Sequence, residues 1–339
     1  MLHFATIFDS NYLPQAESMI DSLMSNTLKS MVYIIALDEK VIEYYYNRDG
    51  VICIPLNDLE DSFSELQALK KSRSYIEYIF TLSPFIPLYI LNKYPEIDII
   101  TTLDADLYFF SDPTTLFQEM GEHSVMISPH RFGLNHAYLE RYGKFNVSFQ
   151  SFRNDNRAMI CLNKWRNECI TYVSDFLYEG KYAEQKYLNT WCEELEGVYV
   201  IKNKGACVAP WNIQNWAIEL VDKNIFYGDS KLIFFHFHGF RINDENTIYS
   251  GLHHYGLDIR KHNYHIIYGH YLNAFLPFAK KIKTPGKLTR NAKMKKLFTP
   301  DIYLHSLPFR FNNDLLNRLK LKIILFAFAV ASRLKFAYK

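Results

Sequence analysis

Cysteine is scarce and unpatterned in this chain. The five residues are Cys53, Cys161, Cys169, Cys192 and Cys207, and no two form a C-x-x-C pair. That excludes a disulfide framework or a zinc ribbon and suits a reducing compartment. Long apolar runs are missing too. None reaches the roughly 18 residues that a membrane-spanning helix needs. No basic and apolar leader precedes the first strand-like run, Phe4 to Phe8, so a cytoplasmic location is expected. Charge of one sign is not in excess: 38 Lys and Arg stand against 36 Asp and Glu, a formal net charge of +2. No basic stripe with recognition spacing appears, so nucleic acid is not an expected partner. There is no internal repeat and no low-complexity linker.

What is plentiful is apolar and aromatic. Half the residues are apolar, with 25 Tyr and 26 Phe among the 339. A full core can be buried, and surplus rings offer stacking surfaces for sugars or bases; an AT-rich coding bias accounts for them equally well. Charge is unevenly spread. From Lys280 onward the chain is strongly basic, with few acids (Asp301, Asp314). Such asymmetry suits a meeting with an anionic surface.

The first third alternates strand and helix patterns. Phe4–Phe8, Met31–Leu37, Val51–Leu56 and Ile97–Leu103 read as buried strands. Leu13 to Ser25 has helical spacing, and a longer helical stretch runs from Ser74 to Lys93, disturbed by Pro84 and Pro87. This rhythm predicts parallel strands with helices on both faces. Further on, Val147–Phe152, Val198–Ile201 and Leu232–His236 read as strands and Ala158 to Tyr178 as a helix. Ligands of such sheets sit at the carboxyl ends of strands. Three strands here end in an acid: Asp9, Asp38 and Asp104.

Asp104 is followed by Ala105 and Asp106. On an extended chain, carboxylates two residues apart face one side. Hard divalent cations bind through such oxygens beside substrate phosphates. A bare Asp-x-Asp is an acidic turn as often as a site; context is what distinguishes this one. The phrase Asp104-Ala-Asp-Leu-Tyr-Phe-Phe-Ser-Asp-Pro113 resembles the metal-binding segment of the GT-A glycosyltransferases, especially bacterial relatives of glycosyltransferase family 8.

The resemblance covers roughly residues 3 to 245, and it implies the following. The fold is a GT-A, Rossmann-like mixed α/β sheet flanked by helices, spanning residues 1–279; residues 280–339 form a basic helical tail. The chemistry is metal-dependent transfer of a sugar from a nucleotide diphosphate, UDP being favoured, to a saccharide or lipid-linked acceptor, with retention. Phe235-His-Phe-His-Gly239 matches the family's His-x-x-Gly element, so His236 joins Asp104 and Asp106 at the metal. His238 lies on the same side and stays an alternative. Imidazole beside carboxylates suits manganese better than magnesium, though magnesium remains possible.

Arg241 stands near the position of a phosphate-binding lysine, in a different register. Tyr182-Ala-Glu-Gln-Lys-Tyr-Leu-Asn189 resembles the segment beside the reacting carbon, giving Glu184 and Gln185 as catalytic candidates. Glu184 replaces the usual Asp. Asn146, before Ser148, resembles a residue lining the sugar pocket. Trp211 and Asn212, in Ala209-Pro-Trp-Asn212, are expected to stack on a sugar and bond its hydroxyls. Thr6, Asp9 and Tyr12 would open the nucleotide pocket, and Arg73 would meet donor phosphates.

The tail segment Asn313 to Lys339 reads as helical. Its apolar core, Ile323 to Ala331, is flanked by Arg318, Lys320, Lys322, Arg333 and Lys335. That pattern favours a peripheral seat on the inner face of the membrane. Two other classes deserve comparison. A sugar-nucleotide-binding protein without turnover would fit the departures at Glu184 and Ser148. A nucleotidyltransferase also uses carboxylate-bound metal, but it carries a Gly-rich basic loop after its first strand, and Asp9-Ser-Asn-Tyr-Leu-Pro14 has neither glycine nor base.

Overall fold

Strand β1 (Leu2–Phe8) alternates its side chains between two cores, and the rest of the molecule is arranged around that division. The computed structural model describes residues 1–242 and 248–282. Phe4 and Phe8 face one side with Met19, Ile20 and Leu23 of helix α1 (Leu13–Ser25). Ala5 faces the other. β2 (Ser30–Ala36) repeats the division: Val32 and Ile34 join Phe4, while Tyr33 and Ile35 join Ala5. Period-two alternation in strands buried on both faces produces this pattern.

The chain continues through α2 (Glu39–Tyr44), β3 (Val51–Pro55), α3 (Leu56–Ser62) and α4 (Glu65–Ser72). Asp38 caps α2, accepting from the Val41 amide at 3.2 Å, and also accepts from the Ser10 amide at 2.8 Å. The expected helix from Ser74 to Lys93 is two helices, α5 (Tyr75–Leu82) and α6 (Phe85–Lys93). Proline at 84 has no N–H for a bond back into α5, and it serves instead as the N-cap of the next helix. Ser74 and Glu77 form a reciprocal cap at the start of α5.

Next come β4 (Ile99–Leu103), β5 (Leu107–Phe109), α7 (Thr114–Met120), β6 (Val125–Pro129), β7 (Phe145–Arg153) and α8 (Asn156–Thr171). α8 stops short of the expected Tyr178, because Tyr172 turns to an extended conformation. Then follow α9 (Trp191–Glu194), β8 (Val198–Val200), the three-stranded β9 (Ile218–Val221), β10 (Asn224–Tyr227) and β11 (Ser230–Lys231), and β12 (Phe234–His236). A two-stranded β13 (Arg241–Ile242) and β14 (Ile248–Tyr249) precedes α10 (Tyr264–Ile282).

The main sheet has seven strands in the order β3-β2-β1-β4-β7-β6-β8. β7 runs antiparallel to β4 and β6; the other pairings are parallel. The expected mixed α/β sheet flanked by helices is therefore present. Its strand order reverses between β1 and β4, and crevices at such reversals receive ligands. A third core packs α10 against β12 through Phe235, Phe237, Tyr268 and Tyr271. α10 continues to Ile282. The segment 283–339, including the proposed membrane tail, lies outside the described residues. Among the described residues, no helix is long and apolar enough to cross a membrane.

Candidate functional site

At the reversal point β4 ends at Leu103 and the chain turns back into β5. Asp104 and Asp106 lie in this turn, not on the extended strand that their spacing alone suggested. The turn is pinned from both sides. The Asp104 amide donates to the Ser148 carbonyl at 3.0 Å, and the Leu107 amide to the Asp104 carbonyl at 3.4 Å. β12 pairs antiparallel with β5, setting His236 opposite Leu107. The Phe237 amide then donates to the Asp106 carbonyl at 2.9 Å. That register carries the His236 imidazole to both carboxylates: Nε2 is 3.0 Å from Asp106 Oδ1 and 3.7 Å from Asp104 Oδ2.

His236 is buried, with its side chain 5 % exposed, while Asp104 is 40 % exposed and Asp106 20 %. Burial disfavours a charged imidazole, yet the Asp106 carboxylate outweighs it and holds His236 above the ordinary value. Burial also works against the Asp106 charge, but His236 prevails and Asp106 sits below the usual carboxylate range. His238 is exposed beside them. One ligand atom each from Asp106, His236 and His238 lies within 4.8 Å of the others. The buried Nδ1 of His236 has no hydrogen-bond partner in the protein. A carboxylate with two imidazoles suits a divalent transition metal. The residues present therefore fit a divalent cation, with His238 in the cluster alongside His236.

Trp211 is built into the wall behind the histidines. It is 5 % exposed, its Nε1 donates to the His130 carbonyl at 2.9 Å, and its ring lies edge-on to His236 at 5.3 Å and His238 at 5.5 Å. The expected open stacking platform is corrected accordingly: the ring face is taken by protein. Asn212 is corrected too. Its amide donates to the His130 and Cys207 carbonyls at 2.7 and 2.8 Å and accepts from the Ala209 amide at 2.9 Å. Both donors are used inside the protein, which leaves none for a sugar hydroxyl.

Asn146 is buried on β7. Its Oδ1 accepts from the Ser148 amide at 2.8 Å, and Nδ2 lies 3.5 Å from His130 Nε2. His130 itself was not singled out in the sequence. It follows β6 and stacks on Phe132, with ring centroids 4.5 Å apart, and burial drives its pKa down to about 3. Its place just past the carboxyl end of a strand was the signal that could have found it.

Glu184 lies at the start of the short helical turn Gln185–Thr190. It is 4 % exposed and its Oε2 has no partner. Burial raises its pKa to about 8, and the nearby Asp104 charge adds to the rise. Its carbonyl accepts from Trp165 Nε1 at 3.0 Å, which ties this segment to α8. Gln185 donates through Nε2 to the Tyr142 carbonyl at 3.1 Å. Glu184 is therefore in electrostatic reach of Asp104, whereas the Gln185 amide braces a neighbouring segment.

Among the residues expected to meet the nucleotide the outcome is mixed. Asp9 caps the turn Ser10–Tyr12, accepting from the Asn11 amide at 3.0 Å, and accepts from the Tyr75 hydroxyl at 3.2 Å. Tyr12 is 45 % exposed at the end of that turn. Thr6 is buried within β1, opposite Leu103 of β4, so it is not open to a ligand. Arg73 donates to Thr81 Oγ1 and, at 2.6 Å, to the Ile170 carbonyl. Both terminal nitrogens thus fasten α5 to α8, which corrects the expected phosphate contact. Arg241 is exposed and lies over the Tyr249 ring at 4.9 Å, close enough to His253 and His254 to oppose their protonation.

No family model matches the chain. The uncharacterized protein YfnD of Bacillus subtilis (strain 168) is 31 % identical over 265 residues, covering 73 % of this chain and 85 % of YfnD. YfnF of the same organism is 29 % identical over 256 residues, covering 72 % and 84 %. Among solved structures, the galactosyltransferase LgtC in complex with donor and acceptor sugar analogs gives a TM-score of 0.49 at 14 % identity, covering 84 % of this chain and 98 % of LgtC. Mouse xyloside xylosyltransferase 1 gives 0.46 at 15 % identity, covering 70 % and 98 %. The glycosyltransferase GlyE of Streptococcus pneumoniae TIGR4 gives 0.45 at 14 % identity, covering 84 % and 65 %. By its identity to YfnD across most of both proteins, the chain belongs to the YfnD family.

Proposed function

We propose that this protein is a metal-dependent glycosyltransferase that moves a sugar from a nucleotide diphosphate, a UDP-sugar in our reading, onto a saccharide or lipid-linked acceptor in surface polysaccharide synthesis. The observation that carries the reading is the convergence of Asp106, His236 and His238, with Asp104 beside them, at the strand-order reversal of the sheet. These are the residues that would hold the cation. A cation such as manganese, held by these residues, would supply positive charge for the diphosphate oxygens. Asp106 and His236 orient one another through their 3.0 Å contact, so the ligand set is preorganised. Trp211 packs edge-on against both imidazoles and keeps water from one side of them.

Glu184 is the candidate beside the reacting sugar. With its pKa raised to about 8, it holds a proton near neutral pH and donates a hydrogen bond to a sugar oxygen. A neutral carboxyl is a poor nucleophile. That disfavours a covalent intermediate on Glu184; in our reading the acceptor hydroxyl attacks on the face the diphosphate leaves, with retention, the proton passing to the departing phosphate oxygen. The basic segment from residue 280 onward supports a peripheral seat on the cytoplasmic face of the membrane.

Two measurements test the reading. Electron paramagnetic resonance titration of manganese should give one site in the wild type and at least about tenfold weaker binding in His236→Ala; equal binding would remove the metal site. For the tail, Arg318→Glu with Lys322→Glu should lower sedimentation with anionic phosphatidylglycerol vesicles. Unchanged sedimentation would withdraw the membrane role.

A further inference from the structure

Five of the thirteen exposed large hydrophobic side chains among the described residues lie in two short segments: Leu134 and Tyr138 in one, Phe176, Leu177 and Tyr178 in the other. The segments meet at one rim. Tyr142 and Tyr182 pack edge-on with centroids 4.9 Å apart. Lys186 Nζ donates to the Glu140 and Arg141 carbonyls at 3.2 and 2.7 Å, and Gln185 donates to the Tyr142 carbonyl. The second segment closes on itself through a two-residue turn, Glu179-Gly180, with positive φ at both positions and Tyr178 bridged to Lys181.

This rim joins the two halves of the candidate site. Tyr255 packs against His136 at 5.6 Å and Trp211 at 6.2 Å, and Trp211 touches the histidines. After burial, Tyr182 and Tyr138 are the groups that raise the Tyr255 pKa, so all three phenols lie close together. Tyr182 in turn lies within electrostatic reach of Glu184. Arg141 sits over Tyr142 at 4.8 Å and Tyr138 at 5.8 Å. Four phenols therefore bridge from the metal ligands to the buried carboxyl, and the functions argued above use none of them.

We propose that Tyr138, Tyr142, Tyr182 and Tyr255 form the subsite that holds a saccharide acceptor, a reading that rests on the glycosyltransferase assignment. Ring faces take the C–H faces of a pyranose, and phenol tips and charged neighbours take its hydroxyls. The charges argue for this occupant over a lipid surface. Glu140, Asp175 and Glu179 stand among Arg141, Lys144, Lys181 and Lys186 in these segments, so the rim carries both signs. An anionic bilayer would meet the acids unfavourably, whereas hydroxyls both donate and accept and so satisfy either sign.

The test uses the full chain with manganese and four probes: lactose, maltotriose, cellotriose and chitotriose. Saturation-transfer NMR reports saccharide contact, and calorimetric titration of UDP in the same samples reports the donor side. At least one probe should receive saturation in the wild type, and its affinity should fall about tenfold in Tyr138→Ala. Tyr138 is 61 % exposed, so this variant is expected to fold; Tyr255→Phe, which keeps the ring, should lose less. If UDP binds but no probe is saturated, or Tyr138→Ala binds the probe as the wild type does, the subsite is overturned and the donor assignment stands. If a probe depends on Tyr138 but UDP does not bind, the saccharide subsite stands and the glycosyltransferase assignment fails.

Discussion

Asp106 and His236 come from positions 130 residues apart and meet at 3.0 Å, while His238 completes the group from two residues further on. Asp106→Ala should remove metal-dependent turnover altogether while sparing the fold, since the backbone bonds of the turn do not need its carboxylate; circular dichroism and donor turnover together check this. Asn212→Ala should instead act on stability. It leaves the Cys207 carbonyl and the Ala209 amide without their partners and removes one of the two donors to the His130 carbonyl, at a cost of about 2 kcal/mol by urea unfolding. Glu184 makes stability depend on pH. In the folded protein its proton stays on up to about pH 8, whereas in the unfolded chain it leaves near the ordinary 4.5. Between those values the unfolded state holds fewer protons, so this residue's contribution falls as pH rises, with a limiting slope of about 1.4 kcal/mol per unit. Glu184→Gln should therefore gain on the wild type between pH 5 and pH 8; a constant difference would mean that the carboxyl is already ionised at pH 5. The acids were legible in the sequence because they stand at strand ends, and His236 because its His-x-x-Gly setting resembles a family element. The fates of Trp211, Asn212, Thr6 and Arg73 were not, because burial and partner choice are set by distant segments such as β6 and α8.

The pairing of β5 with β12 is the element that makes the site, and it depends on close backbone packing nearby. The Ile233 amide donates to the Gly205 carbonyl at 2.7 Å, and a Cβ on Gly205 would stand 1.9 Å from the Lys231 carbonyl oxygen. Gly205→Ala should thus cost about 3 kcal/mol and weaken manganese binding together with stability, measured by urea unfolding and metal titration. The short apolar strands were readable from alternation and from the β-α-β rhythm. The breaks were less so. Pro84 gave a local signal for the division of α5 from α6, but the early end of α8 at Thr171 had no Gly or Pro to announce it. The three-stranded unit β9–β11 went unread, since Val221 and Leu220 are exposed and break the alternation expected of a half-buried strand.

At the scale of the molecule, two cores sandwich the main sheet and a third anchors α10 behind the histidine strand, so metal at the site is coupled to the packing of the whole carboxyl half. Manganese at a concentration 100-fold above its Kd should raise stability by about 2.7 kcal/mol, an increment cut to about 1.4 kcal/mol or less at the same concentration in His236→Ala. The most direct test of the central claim is release of nucleoside diphosphate from a panel of sugar nucleotides, with manganese and with chelator, by wild type and Asp106→Ala. Manganese-dependent release from one donor, lost with chelator and in Asp106→Ala, is the predicted result. No release from any donor by folded protein that binds manganese, or release that Asp106→Ala retains, would contradict it.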